Sequence, residues 1–220
     1  MGAEIPVIVL GCIGNCLDVV EAMLAHNRAD RRPHFHPLGY LDDNPQSVGT
    51  RPLGLPVLGD LSKVGEFPEA SFVLAIGGPH SYLARPQLFE KIGLPRERYV
   101  SVVHPAASVS RSSLLGLGSV LLPHVTVGAQ ARIGDHVMVL PNSVISHDVS
   151  VGDFTLVATA AVLCGTVEVG SNAYIGACCC IRQDLRIGAG ALVGMGSQVV
   201  KDVPPGATVW GNPARLQRLV

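Results

Sequence analysis

An aliphatic residue recurs at every sixth position between residues 103 and 199 without exception. The series runs Val103, Val109, Leu115, Leu121, Val127, Ile133, Val139, Ile145, Val151, Val157, Leu163, Val169, Ile175, Ile181, Ile187, Val193 and Val199. Helices repeat near 3.6 residues and strands at two, so this period belongs to neither alone. It is typical of a solenoid in which three short strands form a triangular coil of about eighteen residues, stacked about five times.

Two further positions follow the same period. Four residues after the aliphatic residue stands a small side chain in most repeats, which predicts a second inward-facing position. Directly after the aliphatic residue there is often a glycine, and we interpret it as a corner that needs a positive φ angle. These glycines are Gly128, Gly134, Gly152, Gly170, Gly176, Gly188 and Gly194.

The hexapeptide repeat resembles that of the left-handed parallel β-helix acyltransferases. The run Val209-Trp210-Gly211-Asn212-Pro213-Ala214-Arg215 is similar to the G-N-P-A-[KR] motif that ends their repeat. The resemblance implies an all-β left-handed prism and an acyl transfer reaction. It does not identify the acceptor.

Composition limits the classes of partner. Of 220 residues, 16 are Lys or Arg and 17 are Asp or Glu, so the formal charge of −1 predicts no surface for nucleic acid or anionic membrane. No apolar run is long enough to span a bilayer and the start lacks a signal-peptide pattern, so we expect a cytoplasmic protein. The six cysteines show no paired C-x-x-C spacing, which predicts reduced thiols and no metal site.

The first hundred residues follow an α/β pattern. The apolar run Ile5–Leu10 predicts a buried parallel strand, followed by a glycine turn, a helix, a strand near 37–41 and another near 72–76. Backbone amides at such a turn can bind phosphate, and acidic side chains after the next strand can bind a ribose or base. Ordinary structural turns are the alternative interpretation. The candidate substrate-binding residues are Gly11, Gly14, Asn15, Asp42, Asp43, Asn44 and Gly77.

The pattern changes near His104, which predicts two domains: a Rossmann-like domain over 1–104 and the β-helix over 105–220. Over essentially the whole chain this order resembles the bacterial sugar acetyltransferases of the sialic acid O-acetyltransferase type. That family includes N-acetyltransferases acting on nucleotide-linked 4-amino-4,6-dideoxy sugars. Its members usually have a histidine in the glycine turn, where this chain has Asn15.

The pair His147-Asp148 falls at a predicted corner, where the repeat does not need a histidine. It matches the His-Glu or His-Asp motif of the family, in which the resemblance implies a general base and its orienting acid. Gly165 lies eighteen residues further on, so its N–H is expected beside the base, as an oxyanion donor. Half a coil after His147 the family commonly has a second histidine, where this chain has Leu156. His124 and His136 are interpreted as exposed corner residues without a role.

The resemblance also implies that acetyl-CoA lies along a groove between adjacent prisms. Its pantetheine would contact the backbone near Gly176 and Gly194, and its adenine would lie near Asn212 and Pro213. A homotrimer is therefore expected, because a triangular prism has flat faces that can meet a neighbour. The outward residues proposed for that contact are Val144, Val162, Tyr174 and Leu192.

Three functions remain open at this point. The first is transfer of acetyl from acetyl-CoA to the 4-amino group of a nucleotide-linked amino-deoxy sugar, which the phosphate-binding turn favours. The second is O-acetylation of sialic acid or another saccharide hydroxyl. The third is a non-catalytic β-helix scaffold, which His147-Asp148 argues against and Leu156 mildly favours.

Overall fold

The computed structural model describes residues 4–30 and 34–219. The chain begins with a parallel four-stranded sheet of order β3-β2-β1-β4, called the N-terminal sheet below. Its strands are β1 (Ile5–Leu10), β2 (Phe35–Leu41), β3 (Val57–Gly59) and β4 (Ser71–Leu74), and its helices are α1 (Asn15–Ala29) and α2 (Arg85–Ile92). Short 3-10 turns occupy Pro45–Ser47, Pro52–Gly54, Leu61–Glu66, Tyr82–Ala84 and Arg96–Arg98. The buried strand predicted over Ile5–Leu10 is confirmed, and β3 is an element that the sequence pattern did not reveal.

The rest of the chain forms three parallel sheets, which are the three faces of a prism. The first face contains Val102–Val103, Val120–Leu121, Met138–Val139, Leu156–Val157, Tyr174–Ile175, Leu192–Val193, Ala207–Gly211 and, antiparallel to the last of these, Ala214–Leu219. The second face contains Ser108–Val109, Thr126–Val127, Val144–Ile145, Val162–Leu163, Cys180–Ile181 and Gln198–Val199. The third face contains Leu114–Leu115, Arg132–Ile133, Ser150–Val151, Glu168–Val169 and Arg186–Ile187.

The corners between these faces are named in chain order. The first corner joins the first face to the second, as at 140–143, and the second corner joins the second face to the third, as at 146–149. The third corner returns the chain to the first face, as at 152–155. Strands pair with the strand eighteen residues away until the last coil, as when Ile133 pairs with Val151, so the predicted coil length is confirmed. In the last coil the separation is sixteen residues, since Leu192 pairs with Thr208.

The interior of the prism is filled by the two positions that the repeat predicted. From Leu121 onward the aliphatic residues and most of the residues four positions later form one buried cluster, in which Ile145 and Val149 are typical. In the first coil Val109 is exposed. Where the small residue is polar, its hydroxyl hydrogen-bonds the backbone, as Thr155 Oγ1 donates to Gly170 O at 3.0 Å. A buried hydroxyl satisfied in this way costs little, so the repeat tolerates Ser and Thr at this position.

The interpretation of the corner glycines is wrong. Positive φ occurs three residues after the aliphatic residue, at positions such as Asn142 and Asp148, where Asn and Asp adopt this conformation more readily than most residues. The glycines directly after the aliphatic residues serve close stacking of coils instead. A Cβ on Gly152 would lie 2.5 Å from the amide nitrogen of Ser171 in the next coil, and Gly176 and Gly194 are equally tight.

The N-terminal sheet and α1 pack on the first face of the prism. Val19, Val20 and Met23 share one buried cluster with Val120 and Met138. Tyr174 and Leu192 pack against the same cluster and remain partly exposed, so their contact with a neighbouring chain stays a prediction. Val144 and Val162 lie on the second face, which the N-terminal sheet does not cover. Within the described ranges, no helix combines the length and the apolar character that a membrane span requires.

Candidate active site

A cleft of about 710 Å³ opens where the carboxyl ends of the N-terminal strands meet the first face of the prism. One wall is formed by the loops that follow β1, β2 and β4, and it contains most of the predicted substrate-binding residues. The opposite wall is apolar. The first wall includes Gly11, Gly14, Asn15, Asp42, Asp43 and Gly77, and the second consists of Leu140, Leu156, Ala158 and Tyr174.

The glycine turn after β1 brings the start of α1 to the cleft. Gly11 has φ +101° and its Cβ would lie 2.6 Å from Cys16 Sγ, so a side chain would clash here. Gly14 precedes the helix with φ +56° and ψ −126°, a conformation open mainly to glycine. The first amides of an α-helix lack intrahelical partners and carry partial positive charge. The turn therefore presents backbone donors at the cleft.

The acidic residues after β2 accept structural hydrogen bonds, and two of them also line the cleft. Asp42 Oδ2 accepts from Cys12 N at 2.9 Å, which ties the glycine turn to β2. Asp43 Oδ1 accepts from Leu61 N at 2.9 Å, and its other oxygen lies 3.6 Å from Lys91 Nζ. Both carboxylates also line the cleft. Asn44 does not line it; its Oδ1 accepts from the backbone amide at 46 at 3.0 Å and begins a 3-10 turn.

Gly77 lies at the point where the two walls meet. A Cβ there would lie 2.8 Å from Leu156 Cδ1 and 3.0 Å from Arg85 Nη1. Gly77 has φ +156°, so both space and conformation favour glycine. The position where the family often has a histidine therefore contributes, as Leu156, to the apolar wall of this cleft.

His147 and Asp148 form a hydrogen-bonded pair on the second corner. His147 Nδ1 lies 2.8 Å from Asp148 Oδ2, and the two side chains are 65% and 47% exposed. The positive φ of Asp148 turns the chain so that the carboxylate faces the ring of the preceding residue. A carboxylate at Nδ1 favours the tautomer whose Nε2 is free to accept a proton, which is the form that a general base requires.

Gly165 stacks beneath the imidazole, as the eighteen-residue period predicts. Its Cβ would lie 2.6 Å from both Cε1 and Nε2 of His147, so the ring occupies the space that a side chain would need. The next residue, Thr166, donates its N–H to His147 O at 3.0 Å and fixes the two coils to each other. Among the described residues, no backbone carbonyl accepts from Gly165 N–H. An N–H without a backbone acceptor and an exposed imidazole therefore lie on adjacent coils of the same corner.

The residues predicted for acetyl-CoA lie elsewhere on the prism. Gly176 and Gly194 follow first-face strands and so occupy the first corner, as do Leu140 and Ala158 of the cleft. Asn212 and Pro213 form the turn between the last two strands of the first face. These positions continue from the cleft along one edge of the prism, toward the final coil.

A single chain does not bring all the predicted site residues together. The cleft lies at the first face and first corner, whereas His147 and Gly165 lie on the second corner. The whole second face separates the two. None of the three predicted catalytic residues lines the cleft.

His136 is a correction to the sequence analysis, because it is buried rather than exposed, whereas His124 is exposed as expected. Its ring stacks on Phe154 at 5.1 Å and contacts Phe89 and Tyr99 at 4.7 Å each. Burial, with a smaller contribution from Arg85, lowers the pKa of His136 to about 4. The residue is a neutral member of an aromatic cluster.

Sequence reasoning missed the apolar wall and the residue behind it. Tyr174 stands at an outward position of the first face, where a large apolar side chain signals contact with another element. Arg85 is 1% exposed and its side chain donates to backbone carbonyls, and no local motif marks such a residue. Within 4–30 and 34–219, no group of three or more His, Cys, Asp or Glu residues is arranged to hold a metal ion.

Comparison with known proteins finds sugar N-acetyltransferases among the proteins that this chain is similar to. No model of a known protein family matches the chain. A curated relative, UDP-N-acetylbacillosamine N-acetyltransferase of Bacillus subtilis, is 34% identical over 55 residues, about a quarter of the length of each protein (25% of this chain and 24% of the relative).

Solved structures match over nearly the whole chain. The acetyltransferase domain of PglB from Neisseria gonorrhoeae, in complex with acetyl coenzyme A, is 27% identical with a TM-score of 0.85, covering 98% of this chain and 100% of that one. PerB from Caulobacter crescentus, in complex with CoA and GDP-perosamine, is 29% identical with a TM-score of 0.84, covering 98% and 99%. The resemblance inferred from the repeat and the His-Asp corner is confirmed by these neighbours.

Proposed function

We propose that this protein transfers acetyl from acetyl-CoA to the 4-amino group of a nucleotide-linked amino-deoxy sugar. The observation that carries the proposal is the His147-Asp148 pair stacked on Gly165, in a fold whose structural neighbours include a domain bound to acetyl-CoA and an enzyme bound to GDP-perosamine. In this proposal, residues 1–104 act as a Rossmann-like domain for the nucleotide sugar. Residues 105–220 act as the left-handed β-helix domain for acetyl-CoA.

The cleft supplies the acceptor site. Amides of Ile13, Gly14 and Asn15 face the diphosphate, because the start of α1 favours negative charge. The amides of Gly11 and Cys12 instead donate to the loop after β2, at Leu41 O and Asp42 Oδ2. Asp42 and Asp43 lie after the neighbouring strand, where they can accept hydrogen bonds from ribose hydroxyls or a base. Asn44 acts indirectly, because its hydrogen bonds hold the loop that carries these carboxylates.

The chemistry follows from the second corner. The sugar amine attacks the thioester carbonyl of acetyl-CoA, and a proton leaves the amine for His147 Nε2. Asp148 holds the ring and stabilises the resulting imidazolium. The N–H of Gly165 donates to the tetrahedral oxyanion, an interaction worth about 2.7–4 kcal/mol for a well-placed donor. The C–S bond then breaks, and the thiolate of CoA leaves and takes the proton from His147.

The separation of cleft and base has a direct consequence for assembly. Because the second face lies between them, an acceptor in the cleft meets the His147 of a neighbouring subunit. A cyclic homotrimer supplies that neighbour three times over, with the second faces, including Val144 and Val162, turned toward the other prisms. Acetyl-CoA would lie between subunits and follow the first corner past Gly176 and Gly194 to Asn212 and Pro213.

The activity is tested by release of free CoA thiol from acetyl-CoA. The acceptors are UDP-, GDP- and dTDP-linked 4-amino-4,6-dideoxy sugars, with sialic acid and the free amino sugars as comparison. Thiol release with at least one nucleotide sugar and N-acetylated product by mass spectrometry is expected. Turnover of a saccharide without a nucleotide, with an O-acetylated product, would support the O-acetyltransferase alternative. No turnover with any acceptor would favour the scaffold.

The shared site is tested by light scattering and by subunit mixing. We expect a trimer, and His147→Ala and Gly14→Val subunits mixed and reassembled should regain activity at low acceptor concentration. Random assembly would give about a quarter of the sites one intact cleft and one intact base from different chains. A monomer, or a trimer whose mixture stays inactive, would contradict the shared site.

A further inference from the structure

Any anion in the cleft faces an unusual lining. Of the described residues that line it, the charged ones are the carboxylates Asp42 and Asp43, and none is Lys, Arg or His. A nucleotide diphosphate brings two or more negative charges into this space. Amides at the start of α1 supply partial positive charge only, about half an elementary charge in total. A full positive charge close to this space would therefore strengthen the binding of a diphosphate.

Lys91 is exposed and paired with Asp43, whereas Arg85 is a buried positive charge directly behind the wall of the cleft. Its side chain is 1% exposed and reaches under Gly77, whose Cβ would lie 3.0 Å from Nη1. Nη1 donates to Ile76 O, and Nη2 donates to His136 O at 2.7 Å and to Leu74 O at 3.4 Å. Ile76 and Gly77 both line the cleft, so a single layer of backbone separates the guanidinium from the ligand space.

The charge of Arg85 is not neutralised within the described part of the chain. None of the Asp and Glu residues there forms an ion pair with it, and its Nε has no hydrogen-bond partner. Burial lowers the pKa of Arg85 to about 10, which leaves it protonated at neutral pH. A buried charge without a counter-ion is costly unless another group compensates for it.

We infer that Arg85 is the positive charge that attracts the diphosphate of the acceptor through the Ile76-Gly77 backbone, so that substrate binding supplies its counter-ion. The inference rests on the proposed function. It assigns to Arg85 a positioning role: the residue holds the ends of the loop after β4 against the prism and sets the sign of the potential at that wall. Asp42 and Asp43 lie on the loop after β2, where their carboxylates can accept hydrogen bonds from neutral hydroxyl groups rather than bind phosphate.

The test separates charge from packing with two variants. Arg85→Gln removes the charge and keeps amide donors, whereas Arg85→Lys keeps the charge. Calorimetry is performed on the full chain with inorganic pyrophosphate, with UDP, GDP and dTDP, and with the matching nucleosides. Through an effective dielectric constant of about 20, loss of a nearby charge should weaken pyrophosphate and nucleotide binding by on the order of tenfold. Nucleoside affinity should stay unchanged, and Arg85→Lys should remain within about threefold of the unaltered protein.

Arg98→Gln is the matched control. Arg98 also binds backbone carbonyls, those of Phe67 and Ala70, but these precede β4 at the opposite edge of the sheet. Its loss should leave pyrophosphate affinity unchanged. Equal weakening by both Gln variants, or equal losses for nucleoside and diphosphate in Arg85→Gln, would show a packing role only.

Two further outcomes keep the inference separate from the proposed function. If the unaltered protein binds no nucleotide, the acceptor proposal fails and the inference fails with it. If it binds nucleotides and Arg85→Gln keeps full pyrophosphate affinity, only the role of Arg85 is overturned. Should Arg85→Gln not fold, the unaltered protein decides: a diphosphate that binds no tighter than its nucleoside would refute a positive potential at this wall.

Discussion

Replacement of Gly165 by alanine tests the proposed catalytic corner with one methyl group. The new Cβ would lie 2.6 Å from Cε1 and Nε2 of His147, more than half an ångström inside ordinary contact. Because the imidazole is 65% exposed, it can rotate toward solvent at little cost to folding. Gly165 does not have a positive φ, so its backbone accepts alanine, and the N–H remains in place.

The expected result is a fall in kcat of on the order of 10²-fold, because a displaced base loses most of a contribution that is about 10²–10⁴-fold. The KM for the acceptor should hold, since the cleft lies on another part of the prism. Thiol release at saturating substrates measures kcat, and thermal unfolding confirms the fold. Gly65→Ala is the control, because a Cβ there meets nothing within 4 Å.

A double variant makes the reasoning refutable. If the methyl group acts by moving His147, Gly165→Ala adds nothing to a chain that already has His147→Ala, because effects that share one mechanism do not add. Multiplied losses in the double variant would show that position 165 acts independently of the imidazole. An unchanged kcat in Gly165→Ala alone would show that the ring position seen here is not the working one.

Three other predictions follow from the same structure. His147→Ala should lower kcat by on the order of 10²–10⁴-fold and leave the KM for acetyl-CoA nearly constant. Asp148→Asn should lower kcat less, because Asn also tolerates the positive φ at this position, and steady-state kinetics of both variants tests this. Gly14→Val should raise the acceptor KM through backbone strain, since no atom lies within 4 Å of the added Cβ, whereas Gly49→Val, equally open with φ +79° but outside the cleft, should not. The pKa of His136 is lowered to about 4 when folded, so the unfolded chain binds the extra proton first and stability should fall by on the order of 2–3 kcal/mol as pH drops from 6.5 to 4. Denaturant unfolding across this range should show a smaller pH dependence in His136→Phe, and an identical one would contradict the assignment.

The prism was predictable from the repeat because each position of the repeat has one structural requirement, such as an inward-facing side chain. Ile145 and Val149 face inward since a coil has two inward positions in every six residues, and the structure confirms both. For the glycines, the sequence analysis inferred the wrong structural requirement. A positive φ and a close approach to the next coil both favour glycine. Only the structure shows that the positive φ occurs at positions such as 148 and the close approach at positions such as 152.

The local parts of the site were predictable and the long-range parts were not. His147, Asp148 and Gly165 are related by adjacency and by the coil length, both of which are readable from the chain. Arg85 reaches His136 O across fifty-one residues, and among the described residues it forms no ion pair that an acidic side chain could have suggested. A contact between a side chain and a distant backbone carbonyl leaves no pattern in sequence, because every residue provides that carbonyl.

The coil length alone predicts that the residues of the proposed site fall on two different corners of the prism. Positions that differ by multiples of eighteen share a corner, so Leu140, Ala158, Gly176 and Gly194 form one set and His147 and Gly165 form another. A seven-residue step from Leu140 to His147 crosses a full face, whereas the eighteen-residue step to Gly165 crosses none. Acceptor and base must come within hydrogen-bonding distance for the proton to move. In the proposed trimer this requirement is met between subunits, so dissociation of the trimer should abolish turnover even where each proposed acceptor cleft still binds a nucleotide.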